Sequence, residues 1–174
     1  ELAMRGPGQI RELARLALPD IAVITTIAPV HLEFVGTLED VAAAKAELIE
    51  ELDGGTAVVP GDAPLLAPHV RRHPGRVVTF GTLDSDVHFV SSEPRDGGTH
   101  VLADAFTRRA ALDFAFSGAH YLYDAQAALA AFVELGFRLD EARAGARDVT
   151  FSGMRGEAIE LEGGIWTRGR HVRG

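Results

Sequence analysis

The chain has 174 residues, enough for one domain of ordinary size, and its 47% hydrophobic and 24% charged content is typical of a soluble globular protein. A formal net charge of -8 argues against non-specific binding to nucleic acid or anionic membranes, and the absence of cysteine excludes disulfides and thiolate metal sites. No apolar run approaches the ~20 residues of a membrane-spanning helix and no secretory signal is visible, so we expect a cytoplasmic protein.

The first part of the sequence alternates between predicted helices and strands. GQIRELARLAL predicts a helix, IAVITTI (residues 21–27) a strand buried on both faces, and LEDVAAAKAELIEEL a second helix, which Thr37 and Asp40 begin as a capping box. TAVVP and RVVTFG predict two more strands on either side of a short helix or turn, APLLAPHVRR. This alternation predicts an α/β fold with a doubly wound, mostly parallel sheet and helices on both faces.

The second part changes character. DVHFVSSEP, THVLADAF and AALDFAF, with turn signals such as RDGG between them, predict a small antiparallel meander attached to the parallel sheet. AHYLYDAQAALAAFVELG predicts a long helix ending at Gly136, LDEARAGARDV a further helix, and EAIELEGG a strand. Residues 165–174 hold three Arg and one His but no acid, so we expect an atypical tail after the domain.

Lys45 lies on the apolar stripe that Leu38, Val41, Leu48 and Leu52 form along one helix. One interpretation is that its four-carbon stem follows apolar surface while the ammonium group reaches water, which is the commoner arrangement for such a lysine. The other is that burial holds the amine neutral. A neutral amine can add carbon dioxide and become a carbamate, whose two oxygens can bind a hard cation.

Two further candidates lie at predicted strand ends. His31 follows a buried strand, and ligands bind at the carboxyl ends of the strands in open α/β sheets. A loop histidine that contacts water or a carbonyl group is the alternative. Glu1 precedes a loop of small residues and a helix, so it would lie at the same edge if a strand came before it; otherwise it is a solvated terminal residue.

Three more residues have both a functional and an ordinary interpretation. His120 begins the long helix, where the positive end of the helix dipole and free amides point, although the helix start alone explains its position. Arg155, in SGMRGE, could reach a phosphate or a ribose, but a surface arginine in a glycine-rich turn is common. Asp62, in PGDAP, is explained as a turn former.

Taken together and in order, four segments resemble the central ATPase domain of the Mur ligase family: ELAMRGPGQI, VITTIAPVHLEFVGTLEDVAAAKAELIEEL, GAHYLYDAQAALAA and GMRGEAIEL. The resemblance covers residues 1–164, as a partial domain that lacks its phosphate loop. The VHLE segment is similar to the branch of the family that adds D-alanyl-D-alanine to the UDP-N-acetylmuramoyl-tripeptide in peptidoglycan biosynthesis. The family joins an acid and an amine through an acyl phosphate, with ATP as cofactor and ADP as product.

The resemblance also implies roles for individual residues. Glu1 and His31 match magnesium ligands, and Lys45 matches the lysine that the family carbamylates to hold a second Mg²⁺ ion near the γ-phosphate. His120 matches a histidine beside the adenine, and Arg155 matches an arginine that approaches the nucleotide. The implied partners are the UDP-linked tripeptide and D-alanyl-D-alanine, bound through domains outside these residues, and a monomer is expected.

Several departures from the family pattern limit these roles. Tyr121 and Asp124 stand where the family has asparagines, and Pro60-Gly61-Asp62 stands where it has Asn-Ala-Asp. We therefore keep two alternatives: another Mur-type ligase or a folylpolyglutamate synthase, and a degenerate, non-catalytic α/β binding module. We expect the 174 residues alone to have no ligase activity, because the phosphate loop and two substrate domains would be missing.

Overall fold

The structure, a computed structural model, describes residues 2–29, 36–149, 158–161 and 165–168, the last two ranges by their backbone alone. The helices are α1 (Gln9–Ala17), α2 (Leu38–Glu50), α3 (Ala67–Val70), α4 (Ala119–Glu134) and α5 (Ala142–Asp148). Short 3-10 helices, Pro64–Leu66 and Leu139–Glu141, lead into α3 and α5. The strands are β1 (Ile21–Val23), β2 (Thr56–Pro60), β3 (Arg76–Phe80), β4 (Val87–Arg95), β5 (Gly98–Ala105), β6 (Arg108–Phe114), β7 (Ala158–Leu161) and β8 (Ile165–Arg168).

Strands β1 to β6 form one sheet in chain order, and β7 and β8 form a separate antiparallel pair. The pairs β1–β2, β2–β3 and β3–β4 are parallel, whereas β4–β5 and β5–β6 are antiparallel. Within the described residues, β1 pairs with β2 alone and leaves its other edge unpaired. The predicted fold class is confirmed: a mixed sheet whose parallel part continues into an antiparallel meander.

Helices cover both faces of the sheet. On one face α2 packs on β1 and β2, with Ala46 and Ile49 against Ala57 and Val59. On the other face α4 packs through Ala127 and Leu129 on a core that runs from β2 to β6. Helix α1 lies on the outside of α2, where Met4 and Ile10 meet Val41 and Ala44. This burial of apolar side chains on both faces stabilises the parallel part of the sheet.

Sequence and structure agree on the helices and differ in the length of one strand. The capping box is confirmed, because the Thr37 side chain accepts from the Asp40 amide while Asp40 accepts from the Thr37 amide. The predicted strand 21–27 is shorter, since regular pairing ends at Val23. Beyond it the Thr26 carbonyl accepts a hydrogen bond from Lys45 rather than from a neighbouring strand.

The predicted tail also contains regular structure. Residues 165–168, which the sequence analysis assigned to the tail, form β8 and pair with β7, the predicted EAIELEGG strand. None of the helices in the described ranges is long and apolar enough to cross a bilayer.

Candidate functional site

A cavity of about 590 Å³ opens at the carboxyl ends of β1 and β2, beside the first turn of α4. Its walls are mainly apolar, with a few polar side chains, and it is lined by Thr26, Ile27, Leu38, Pro60, Asp62, Ala63, Pro64, Leu65, Ala119, His120, Tyr123 and Asp124. Parallel strands bring their loops together at this edge, which explains why segments distant in sequence meet here. Apolar walls with a few polar side chains are typical of sites that bind small organic ligands.

The start of α4 supplies the polar side of the cavity. His120 is exposed, and its ring lies 3.8 Å, centroid to centroid, from the ring of Tyr121. The N-cap residue, Gly118, has no side chain to cap the helix, so the N-terminus of this sixteen-residue helix carries the partial positive charge that attracts anions. Asp124 lies one turn further along the same helix face. Partial burial raises the pKa of its carboxyl group, against an opposing effect of His120.

Tyr123 connects α4 to the loop after β2. Its hydroxyl group donates a short hydrogen bond to Asp62, and its ring packs edge-on against Phe80 at 5.2 Å. Burial, together with the hydrogen bond to Asp62, raises the pKa of Tyr123 well above its usual range, so the phenol stays a donor. Asp62 is therefore not only a turn former, because it ties the cavity wall to the helix.

Two glycines near this contact pack too closely against their neighbours to carry a side chain. Gly81 has φ +105°, and a Cβ atom there would lie 2.6 Å from the Tyr123 ring. A Cβ atom on Gly61 would lie 2.3 Å from the Ser85 hydroxyl oxygen. Gly61 thus has a packing role at the place where the family pattern has alanine.

Lys45 lies on the other side of the Thr26 segment. Its Nζ atom donates to the Thr26 carbonyl oxygen at 2.7 Å, and Thr26 itself lines the cavity described above. The lysine stem lines a separate, mainly apolar cavity between α1, β1 and α2, with neighbours such as Met4 and Leu48. Burial lowers the pKa of the Lys45 amine, which is the direction that the second interpretation of this lysine requires.

The composition of the chain singles out Lys45 as well. It is the only lysine in the sequence, and the other 16 of the 17 Lys and Arg residues are arginine. Arginine keeps its charge at all ordinary pH values, whereas a partly buried lysine can lose its proton and react as an amine.

The structure describes two of the predicted site residues, His120 and Lys45. His120 lines one cavity with Asp62 and Asp124, which were not predicted as site residues, and Lys45 donates to Thr26 in the wall of that cavity. Glu1, His31 and Arg155 lie outside the described residues, so their predicted roles remain predictions. Within the described ranges, no group of three or more His, Asp or Glu side chains is arranged to hold a metal ion.

Sequence reasoning missed two contacts that shape this region. One is the Tyr123–Asp62 hydrogen bond. The other involves Glu47, which is 7% exposed and accepts from the amides of Gly8 at 2.7 Å and Arg11 at 3.1 Å. Glu47 thereby satisfies the start of α1. A glutamate among small apolar residues in α2 was the available signal, because a buried carboxylate needs donors.

Comparison with known proteins identifies the family to which the chain that forms this cavity belongs. Residues 1–132 match the family model of the Mur ligase middle domain. Over 167 residues, 95% of this chain, the sequence is 32% identical to UDP-N-acetylmuramoyl-tripeptide–D-alanyl-D-alanine ligase of Bacillus subtilis, covering 35% of that protein. Over 127 residues it is 37% identical to UDP-N-acetylmuramate–L-alanine ligase of Kineococcus radiotolerans, covering 70% of this chain and 27% of that protein.

The fold comparison agrees. The MurF ligase from Thermotoga maritima in complex with ADP superimposes with a TM-score of 0.81 and 27% identity, covering 94% of this chain and 38% of the ligase. The chain thus spans between 27% and 38% of the length of these relatives. Because residues 1–132 match the model of the middle domain, the chain belongs to the Mur ligase family, whose members are ATP-dependent ligases.

Proposed function

We propose that this chain forms the nucleotide-binding part of an ADP-forming amide ligase that adds D-alanyl-D-alanine to UDP-N-acetylmuramoyl-tripeptide in peptidoglycan biosynthesis. The observation that carries the proposal is the cavity at the carboxyl ends of β1 and β2, with His120 at the uncapped start of α4. The likeness to a tripeptide–D-alanyl-D-alanine ligase over 95% of the chain supports this substrate pair.

The cavity can accept the base of ATP between its apolar walls. Ile27, from the segment after β1, and Leu65, from the segment after β2, line this cavity. His120 can contact the face or the edge of a purine. The carboxylate of Asp124 would repel the ester and phosphate oxygens of ATP. We therefore place Asp124 near the base, where its carboxylate can accept a hydrogen bond from the exocyclic amine.

Lys45 fits a metal-holding role only in a modified form. A protonated ammonium group repels Mg²⁺, whereas a carbamate offers two oxygens, the ligand type that Mg²⁺ prefers. The lowered pKa of the amine favours its neutral, carbamylating form. We propose that carbamylated Lys45, with Glu1 and His31, holds magnesium in the complete ligase, and that Arg155 approaches the nucleotide. The ion would neutralise phosphate charge.

The test uses the complete ligase that contains this chain. Lys45→Arg keeps the charge and most of the stem but cannot form a carbamate, so we expect loss of ligation in both Lys45→Arg and Lys45→Ala. Added bicarbonate should not restore Lys45→Ala, whereas a short-chain carboxylic acid should partly restore it by replacing the lost anion. Arg72→Ala, which changes an exposed residue outside the site, is the control and should keep ligation. Near-normal ligation by Lys45→Arg would support the first interpretation of Lys45, in which its ammonium group reaches solvent and holds no metal ion.

A second candidate is an L-alanine ligase. It is favoured by the 37% identity to a UDP-N-acetylmuramate–L-alanine ligase, which covers a shorter part of the chain. Two assays on the complete ligase separate the candidates: UDP-N-acetylmuramate with L-alanine, and UDP-N-acetylmuramoyl-tripeptide with D-alanyl-D-alanine. Phosphate release with the second pair alone supports the first candidate. Release with neither pair supports a non-catalytic module.

A further inference from the structure

A further cavity, of about 480 Å³, is lined mainly by arginines in a chain that is acidic as a whole. It lies between the start of β6 and the segment that joins α4 to α5. The lining residues are Arg108, Arg109, Arg138, Leu139, Asp140 and Arg143. Four guanidinium groups around one opening repel each other unless anions balance their charge.

Two of these arginines already have carboxylate partners. Arg109 donates two hydrogen bonds, both of 2.6 Å, to Asp104. Arg138 donates two bonds of 3.0 Å to Asp140. Such two-point pairs fix the plane of the guanidinium group, so these carboxylates orient the arginines at the rim.

The other two arginines have few partners within the described residues. Arg108 has no hydrogen-bond or ion-pair partner there. In the same part of the chain, Arg143 uses only Nε, in a 3.3 Å bond to the Ala111 carbonyl oxygen, and Asp140 is a charged neighbour without a bond to it. Their remaining N–H donors are available for an anion in the cavity.

This cavity is separate from the nucleotide cavity. His120 stands at the first turn of α4 and Arg138 follows its last turn, and a helix of sixteen residues is about 24 Å long. The two openings therefore lie at opposite ends of α4. No segment that lines one cavity also lines the other.

We propose that the arginine cavity binds the phosphoryl group of a small soluble molecule, held mainly by Arg108 and Arg143. Guanidinium forks match the geometry of phosphate oxygens, and a phosphoryl dianion balances two uncommitted cations better than a single carboxylate does. A concave opening with only two arginines available as donors suits a single phosphoryl group of a small ligand. The proposal does not depend on the ligase activity.

The test is calorimetric titration of the 174-residue chain with inorganic pyrophosphate at constant ionic strength. We expect a Kd below about 1 mM. Arg108→Ala and Arg143→Ala should each weaken binding at least about tenfold, because each removes a bidentate partner of the anion. Arg72→Ala removes the same charge from an exposed position, and it should leave binding unchanged.

Three results would overturn the proposal. The first is no heat of binding up to millimolar pyrophosphate. The second is equal weakening by Arg72→Ala and Arg108→Ala, which would show that the chain responds only to general charge. The third is weakening by His120→Ala with no effect of Arg108→Ala, which would place the anion at the nucleotide cavity. Because Arg108 is exposed, its replacement leaves the core intact.

Discussion

The parallel half of the sheet and the antiparallel meander use the same residue types in different ways. In β2 the last four residues are all buried, because helices cover both faces. In β5 buried and half-buried residues alternate along the whole strand. The meander carries paired charges on its open face, such as Arg109 with Asp104. The parallel half instead places its polar groups beyond the strand ends, where they can meet a ligand.

Phe80 tests the junction of the two halves and should give the largest effect. It is fully buried at the end of β3, pairs with Val87 of β4, and packs against Tyr123. Phe80→Ala should lower the free energy of unfolding by about 3–5 kcal/mol, since it leaves a cavity in the shared core. Leu83→Ala, at a side chain that is 70% exposed, should change it by less than about 0.5 kcal/mol. Denaturant unfolding of both variants measures the difference.

Gly81 and Gly97 provide a matched pair across the two halves. Both have positive φ, +105° and +78°, so alanine at either position should cost about 1–2 kcal/mol in backbone strain. Only at Gly81 would the new Cβ atom meet the Tyr123 ring, while Gly97 has open space. We expect Gly81→Ala to be the more destabilising in thermal unfolding and the only one that weakens ATP binding by the complete ligase. Equal effects would contradict the packing role of Gly81.

Glu47 tests how α1 is attached to the parallel half. Glu47→Ala should cost about 1–3 kcal/mol, because the amides of Gly8 and Arg11 lose their acceptor in a partly buried position. Glu93→Ala, at an exposed position in β4, is the matched control and should have little effect. Hydrogen exchange of the α1 amides should increase in the first variant alone. Unchanged exchange there would show that apolar contacts suffice to hold α1.

Asp113 tests the charged face of the meander, with the smallest effect. Hydrogen bonds from His100 and Arg147 lower the pKa of Asp113 from 3.8 to about 2. Its charged form therefore stabilises the fold above about pH 4, and this contribution is lost as the pH falls towards 2. Asp113→Asn should reduce stability at neutral pH and converge with the unmodified chain near pH 2. Asp84→Asn, at an exposed position, is the control and should change stability little at neutral pH.

Much of the fold followed from local patterns. The capping box at Thr37, the hairpin at Asp96-Gly97 and the end of α4 near Gly136 each depend on a few adjacent residues, so the sequence alone predicts them. The predicted length of β1 was wrong, and the structure gives a physical reason. Its apolar run continues to Ile27, but the Thr26 carbonyl turns to Lys45, a residue nineteen positions later.

The candidate site was harder to predict, because it is assembled over long distances. Asp62 and Tyr123 are 61 positions apart and neither has a distinctive local pattern. His120 and Lys45 were found because a helix start and an apolar stripe are visible in the sequence. What the sequence could not give is their separation into two cavities on either side of Thr26.

In the proposed site, the nucleotide binds at the strand ends of the parallel half and not on the meander. Hydrogen–deuterium exchange of the complete ligase, with and without a non-hydrolysable ATP analogue, tests this position directly. We expect slower exchange on binding in residues 24–27, 60–66 and 118–124, with no change in β5 and β6. Slower exchange confined to residues 98–114, or none within this chain, would contradict it.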